Sequence, residues 1–133
     1  MKNASSKSTL KPDLLPVFAR LKSILQRHAA DLIIHKDTEN SFYLLTKHVL
    51  PHNKQPLWFG GVQIMKNYVS YHLIPMYGQR AQVSPQLQKR MQGKTCFNFT
   101  SIDDVLFTEL DQLTKAGAKR FQSMPDFSGI SCD

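Results

Sequence analysis

Two helix-period stripes with five strand-like runs between them constrain the fold most. The first stripe is Leu14, Val17, Phe18, Leu21, Ile24, Leu25 and His28. Its three- and four-residue steps predict a helix from about Asp13 to His28, with Asp13 as N-cap and Pro16 in the first turn, where amides lack helical acceptors. From Asp31 to Pro51 the helical period is lost. Leu32, Ile33 and Ile34 are β-prone, Asp37 to Asn40 reads as a turn, and Phe42 to Val49 is aromatic and branched. Two strands fit, then a loop at Pro51, Asn53 and Pro56. Leu57 to Met65 and Tyr68 to Tyr77 follow as a hairpin across Lys66-Asn67, which makes an antiparallel meander.

Ser84-Pro85 begins a short helix that carries Leu87 and Met91 inward, with Gly93 as its C-terminal stop. Lys94 to Phe99 reads as a fifth strand, with Phe97 and Phe99 on one face and Cys96 and Asn98 on the other. Ser101-Ile102-Asp103-Asp104 matches a capping box, and Leu106, Leu110, Leu113, Gly117 and Phe121 form the stripe of a last helix. The expected architecture is α+β. One domain over residues 12–122 holds a curved, mainly antiparallel sheet of about five strands, flanked by N- and C-terminal helices and one short helix. Residues 1–11 form a flexible N-terminus, and 123–133 a tail.

One core is expected because 133 residues are too few for two stable ones. No run approaches the ~20 apolar residues of a spanning helix, and Met1 to Lys11 lacks a secretory apolar segment. A cytoplasmic location is expected. Cys96 and Cys132 are the two cysteines, without C-x-x-C spacing, and read as reduced thiols.

The net charge of +7 is unevenly distributed. Between Asn40 and Ile102 there is no carboxylate side chain, while Lys47, Lys54, Lys66, Arg80, Lys89, Arg90 and Lys94 all fall there. Lys66, Arg80 and Lys94 are the candidate contacts to an anion. Such a field attracts anionic partners in a salt-dependent way, yet the cations are sparse for a nucleic-acid surface and serve equally as solubilising charge.

Val69-Ser70-Tyr71-His72-Leu73-Ile74-Pro75, followed by Gln92-Gly93-Lys94-Thr95-Cys96-Phe97-Asn98-Phe99, resembles the YdhG-like family of small bacterial proteins. The resemblance spans roughly Phe18 to Phe121. It implies the fold and, because some members are described as frataxin-like intracellular iron chaperones, an iron role. Asp103, Asp104, Glu109 and Asp111 would then supply the oxygen ligands. Asp103 and Asp104 are equally explained as complements to a helix dipole. Asp31, Asp37 and Glu39 form a looser acidic set around a turn.

No P-loop, nucleophile elbow or dinucleotide fingerprint is present. His48 and His52 are four apart with Pro51 between them, so their spacing sets no metal geometry. Cys96 lacks a base and an orienting group among its sequence neighbours, which favours a non-catalytic protein. Gly60-Gly61 inside Leu57, Trp58, Phe59, Val62 and Ile64 signals a bulge, a curl or close approach of another group. The leading expectation is a binding module using the curved sheet, with Trp58, Gly60, Gly61, Tyr68 and His72 contacting an unknown small molecule or a protein partner. No cofactor other than iron is implied, and a homodimer is compatible with an exposed sheet edge.

Overall fold

The computed structural model describes residues 13–49, 54–76 and 79–123. The N-terminal segment 1–11, most of the 123–133 tail, the loop around Pro51 to Asn53, Tyr77 and Cys132 lie outside the described residues.

Helix α1 (Leu14–Arg27) buries Leu14, Val17, Phe18, Leu21, Ile24 and Leu25, the stripe expected from its period. Asp13 makes no side-chain cap bond: its own backbone is helical, with φ −66° and ψ −21°. The chain continues through β1 (Ile33–Asp37), β2 (Ser41–Val49), β3 (Pro56–Ile64) and β4 (Val69–Leu73). The run expected to reach Tyr77 leaves the strand at Ile74, where a 3₁₀ turn covers Ile74–Met76. Pro75 has no amide hydrogen to continue a ladder. A second 3₁₀ turn, Arg80–Gln82, leads to α2 (Pro85–Gln88).

Ser84 caps α2 through its hydroxyl, which accepts from the Leu87 amide at 3.2 Å. The helix stops after one turn instead of running to Gly93. Met91 and Gln92 form a further strand, β5, which pairs with β6 (Cys96–Phe99). Gly93, at φ 74°, lies in the turn between them, a conformation that glycine adopts without steric cost. The sheet therefore has six strands in the order β1-β2-β3-β4-β6-β5, with every described pairing antiparallel. Its two edges differ. All five residues of β1 are exposed, and its ladder shifts register between Ile34 and Lys36, whereas β5 has only two residues.

Helix α3 (Asp104–Ser123) begins with Asp103 as its cap, since Asp103 Oδ1 accepts from the Leu106 amide at 3.1 Å. That is two residues later than the capping box placed it. Helix α1 packs on β3 and β4, and α3 packs on α1 and the Ile74–Met76 turn. Both helices lie on one side of the sheet. Phe42, Leu44, Leu57, Phe59, Val62, Val69, Tyr71, Leu73 and Phe97 are essentially inaccessible beneath them. On the other side Tyr43, Trp58, Gln63, Ser70, His72, Cys96 and Asn98 are only partly covered. One face is core, and the other is only partly covered among the described residues.

A buried polar pair joins sheet to helix. The hydroxyls of Tyr71 and Thr114 lie 2.6 Å apart, both buried. Burial holds the Tyr71 phenol well above the ordinary tyrosine range. Thr114→Val keeps the shape and removes the partner, so denaturant unfolding should show a loss of about 1–3 kcal/mol. The double variant Tyr71→Phe/Thr114→Val should recover part of that loss, because no buried hydroxyl is then left unpaired. A double variant no more stable than Thr114→Val alone would mean that the hydroxyl pair is not what the single change disrupts.

Candidate functional site

Strand register brings the partly covered side chains together. Tyr43 stands opposite Gly61, Gly61 opposite His72, and His72 opposite Cys96, so one row crosses β2, β3, β4 and β6. The two glycines are required for different reasons. A Cβ at Gly60 would lie 2.5 Å from the His72 carbonyl oxygen, which is backbone and has little room to move. A Cβ at Gly61 would lie 2.0 Å from Cδ1 of Tyr43, whose ring rests on that position. Beside the pair, the β2–β3 ladder shifts between Leu44 and Leu45, and such a bulge bends a strand.

Seated on Gly61, the Tyr43 ring meets Trp58 edge to face at 5.3 Å, and Trp58 meets His35 at the same separation. The Tyr43 hydroxyl donates to Gln63 Oε1 at 2.7 Å. Next to these rings is an open hollow of about 390 Å³, lined by Tyr43, Trp58, Gly60, His72 and Ile74. That volume is in the range of small-molecule sites. Among the described residues no charged side chain lines it.

His72 forms one wall of the hollow and is held from behind. Its Nε2 is 2.9 Å from Thr95 Oγ1, and its Nδ1 is 3.3 Å from Cys96 Sγ. Burial pushes the imidazole below its ordinary pKa. Burial also raises the Cys96 thiol, against the opposing influence of the Thr95 and Ser70 hydroxyls. A neutral imidazole therefore faces a neutral thiol at neutral pH.

The expected contact residues divide on this geometry. Trp58, Gly60 and His72 line the hollow, whereas Gly61 is hidden beneath Tyr43. Tyr68 lies in the β3–β4 turn, with its carbonyl accepting from the Met65 amide at 2.7 Å. It is four residues from His72, roughly 13 Å along a strand, and is not among the lining residues. Tyr43 and Ile74, which alternation within one strand does not single out, complete the wall.

Two of the candidate anion contacts do not converge. Lys66 is at the β3–β4 turn and Lys94 at the β5–β6 turn, which register places at opposite ends of β4. Arg80 is in a 3₁₀ turn, with Nη1 3.7 Å from Met91 Sδ. The four carboxylates of α3 and its cap are likewise dispersed. Asp103 caps the helix, and Asp104 pairs with Arg20. Glu109 accepts from the Ser84 amide at 2.8 Å and sits 2.6 Å from its hydroxyl. Asp111 meets Arg27 at 3.2 Å and His28 Nε2 at 2.6 Å. Among the described residues no group of three or more His, Cys, Asp or Glu is placed to hold a metal ion. His52, four residues after His48, lies outside the described residues. No described helix is long and apolar enough to cross a membrane.

No family model matches this chain, and no curated protein or solved structure is significantly similar to it.

The depressed imidazole pKa of His72 makes a pH prediction. Its folded value lies below its unfolded value, so the unfolded chain binds the proton more readily. The associated stability is present above about pH 6.5, the unfolded value, and is lost as pH falls toward the folded one. Chemical denaturation of the natural protein and of His72→Gln across pH 7.5 to 5 should show the natural protein losing stability more steeply. Parallel curves for the two would remove His72 as the cause.

Proposed function

We propose that this protein is a binding module whose open sheet face takes a small, flat, uncharged aromatic molecule into the hollow beside Tyr43. The observation that carries this reading is the lining itself. Three rings, from Tyr43, Trp58 and His72, stand around a glycine position with no charged side chain among them. A flat apolar ligand replaces water against those rings and gains from edge or offset stacking. A carboxylate placed there lacks a cationic partner among the described lining residues and loses hydration that they do not replace. The aromatic reading is therefore preferred to an anionic one, and Lys66 and Lys94, near opposite ends of β4, do not act together on a small anion.

The rings are also set before a ligand arrives. Tyr43 is pinned between Gly61 and Gln63, and His72 between Thr95 and Cys96. Little side-chain freedom is then lost on binding.

Trp58 is the sole tryptophan, so its emission reports on the hollow alone. Titration with 4-nitrobenzyl alcohol should quench Trp58 saturably, and 4-nitrobenzoate should bind at least about tenfold more weakly, a difference of about 1.4 kcal/mol. Gly61→Ala dislodges the Tyr43 ring and should weaken the neutral probe while the fold persists in circular dichroism. Quenching that is linear with concentration, or equal for the charged and uncharged probes, would count against the reading.

A further inference from the structure

The reaction chemistry of Cys96 goes beyond ligand binding. A thiol acting as a nucleophile needs a base within hydrogen-bonding reach and a third group to orient that base. The base is absent from its sequence neighbourhood and is supplied across the sheet from β4, while the orienting group is Thr95, the residue just before Cys96. Because β6 pairs with β4, Cys96 stands directly opposite His72, and Thr95 reaches the far side of the same ring. Cys96 is partly exposed on the open face, whereas Thr95 is 2% exposed and so holds the imidazole from a fixed position.

We propose that Cys96 is a nucleophile with His72 as its general base and Thr95 as the positioning residue, and that it accepts an acyl group from an activated ester or thioester. The tautomer required carries its proton on Nε2, donated to Thr95 Oγ1, and leaves the Nδ1 lone pair toward the thiol. In the forward step Nδ1 takes the thiol proton as sulfur forms a bond to the carbonyl carbon, and the carbonyl π pair moves onto oxygen. When that pair returns, the bond from carbon to the leaving oxygen or sulfur breaks, and the leaving atom takes the proton from Nδ1. The products are S-acyl Cys96 and a neutral phenol, alcohol or thiol, with His72 neutral again. No oxidant or metal enters the balance.

The surroundings of the sulfur suit this sequence. The Thr95 and Ser70 hydroxyls interact with the thiol and favour its charged form, so they support negative charge as it develops. The resting thiol is protonated, which makes the base necessary. His72 also forms a wall of the hollow, so an aromatic leaving group of the class proposed above is held next to the base. That preference rests on the binding reading; the nucleophile and base do not.

The test uses the full chain with Cys132→Ser, which leaves Cys96 as the single thiol. It compares 4-nitrophenyl acetate with the acetyl thioester of N-acetylcysteamine. Both should place one acetyl group on Cys96, located by peptide mass spectrometry, with a matching burst of nitrophenol from the ester. The rate should be level from neutral to mildly alkaline pH. His72→Gln should be roughly 100-fold slower at neutral pH, with a rate that keeps rising as the thiol ionises unaided. Thr95→Val, which keeps the side-chain shape, should fall between the two and serves if His72→Gln does not fold. No acetyl group on Cys96, or the same pH profile in natural and substituted proteins, overturns the proposal. Acetylation without preference for the aromatic donor supports the nucleophile and removes the hollow as its substrate seat. Saturable quenching by 4-nitrobenzyl alcohol with no acetylation removes the nucleophile alone.

Discussion

Neither Gly60 nor Gly61 has space for a methyl group, and much of the open face follows from that. At Gly60 the obstacle is the backbone of β4, so β3 and β4 approach there more closely than side-chain-bearing residues allow. At Gly61 the obstacle is the Tyr43 ring, so a ring lies flat where a side chain would stand. Trp58 then packs against Tyr43, His35 against Trp58, and the hollow is what remains beside them. Glycine in a strand weakens it. Here the weakening is offset on the other face, where Phe59 and Val62 on either side of the pair are fully buried.

The division between faces also explains the distribution of chemistry. Both long helices cover the same side, and the polar pairs tying them down are spent there. Tyr71 holds Thr114, Ser84 holds Glu109, and His28 with Arg27 holds Asp111. These carboxylates are committed to joining elements. The uncovered side keeps side chains of another kind, rings, hydroxyls and a thiol, whose hydrogen bonds are made to one another along the sheet. His72 stands at their centre, lining the hollow while Thr95 and Cys96 hold its two ring nitrogens.

Much of this was legible from periodicity. The α1 stripe emerged as the buried face of the helix because a three- and four-residue period has one structural meaning over that length. Strand β5 was not legible: Met91 and Gln92 carry no pattern of their own and become a strand only because β6 pairs with them. The same limit applied to the site. The glycine pair groups Trp58, Tyr68 and His72 on one curved surface but does not give how far apart they lie along the strands, and Tyr68 is not among the residues that line the hollow. Tyr43 joins the wall through cross-strand register, and the meeting of His72 with Cys96 depends on β6 lying beside β4. A single chain read in order does not encode that adjacency as a local pattern.

The two sheet edges bear on how the molecule meets copies of itself. An open edge exposes amides and carbonyls that can template another strand, and long flat edges invite runaway stacking. Here β5 offers too short a rail for that, and β1, although it exposes Ile33 and Ile34, is interrupted by a register shift and followed by Lys36 and Asp37. The ribbon is blunted at both ends. Among the described strands, backbone is poorly placed to join backbone at either edge.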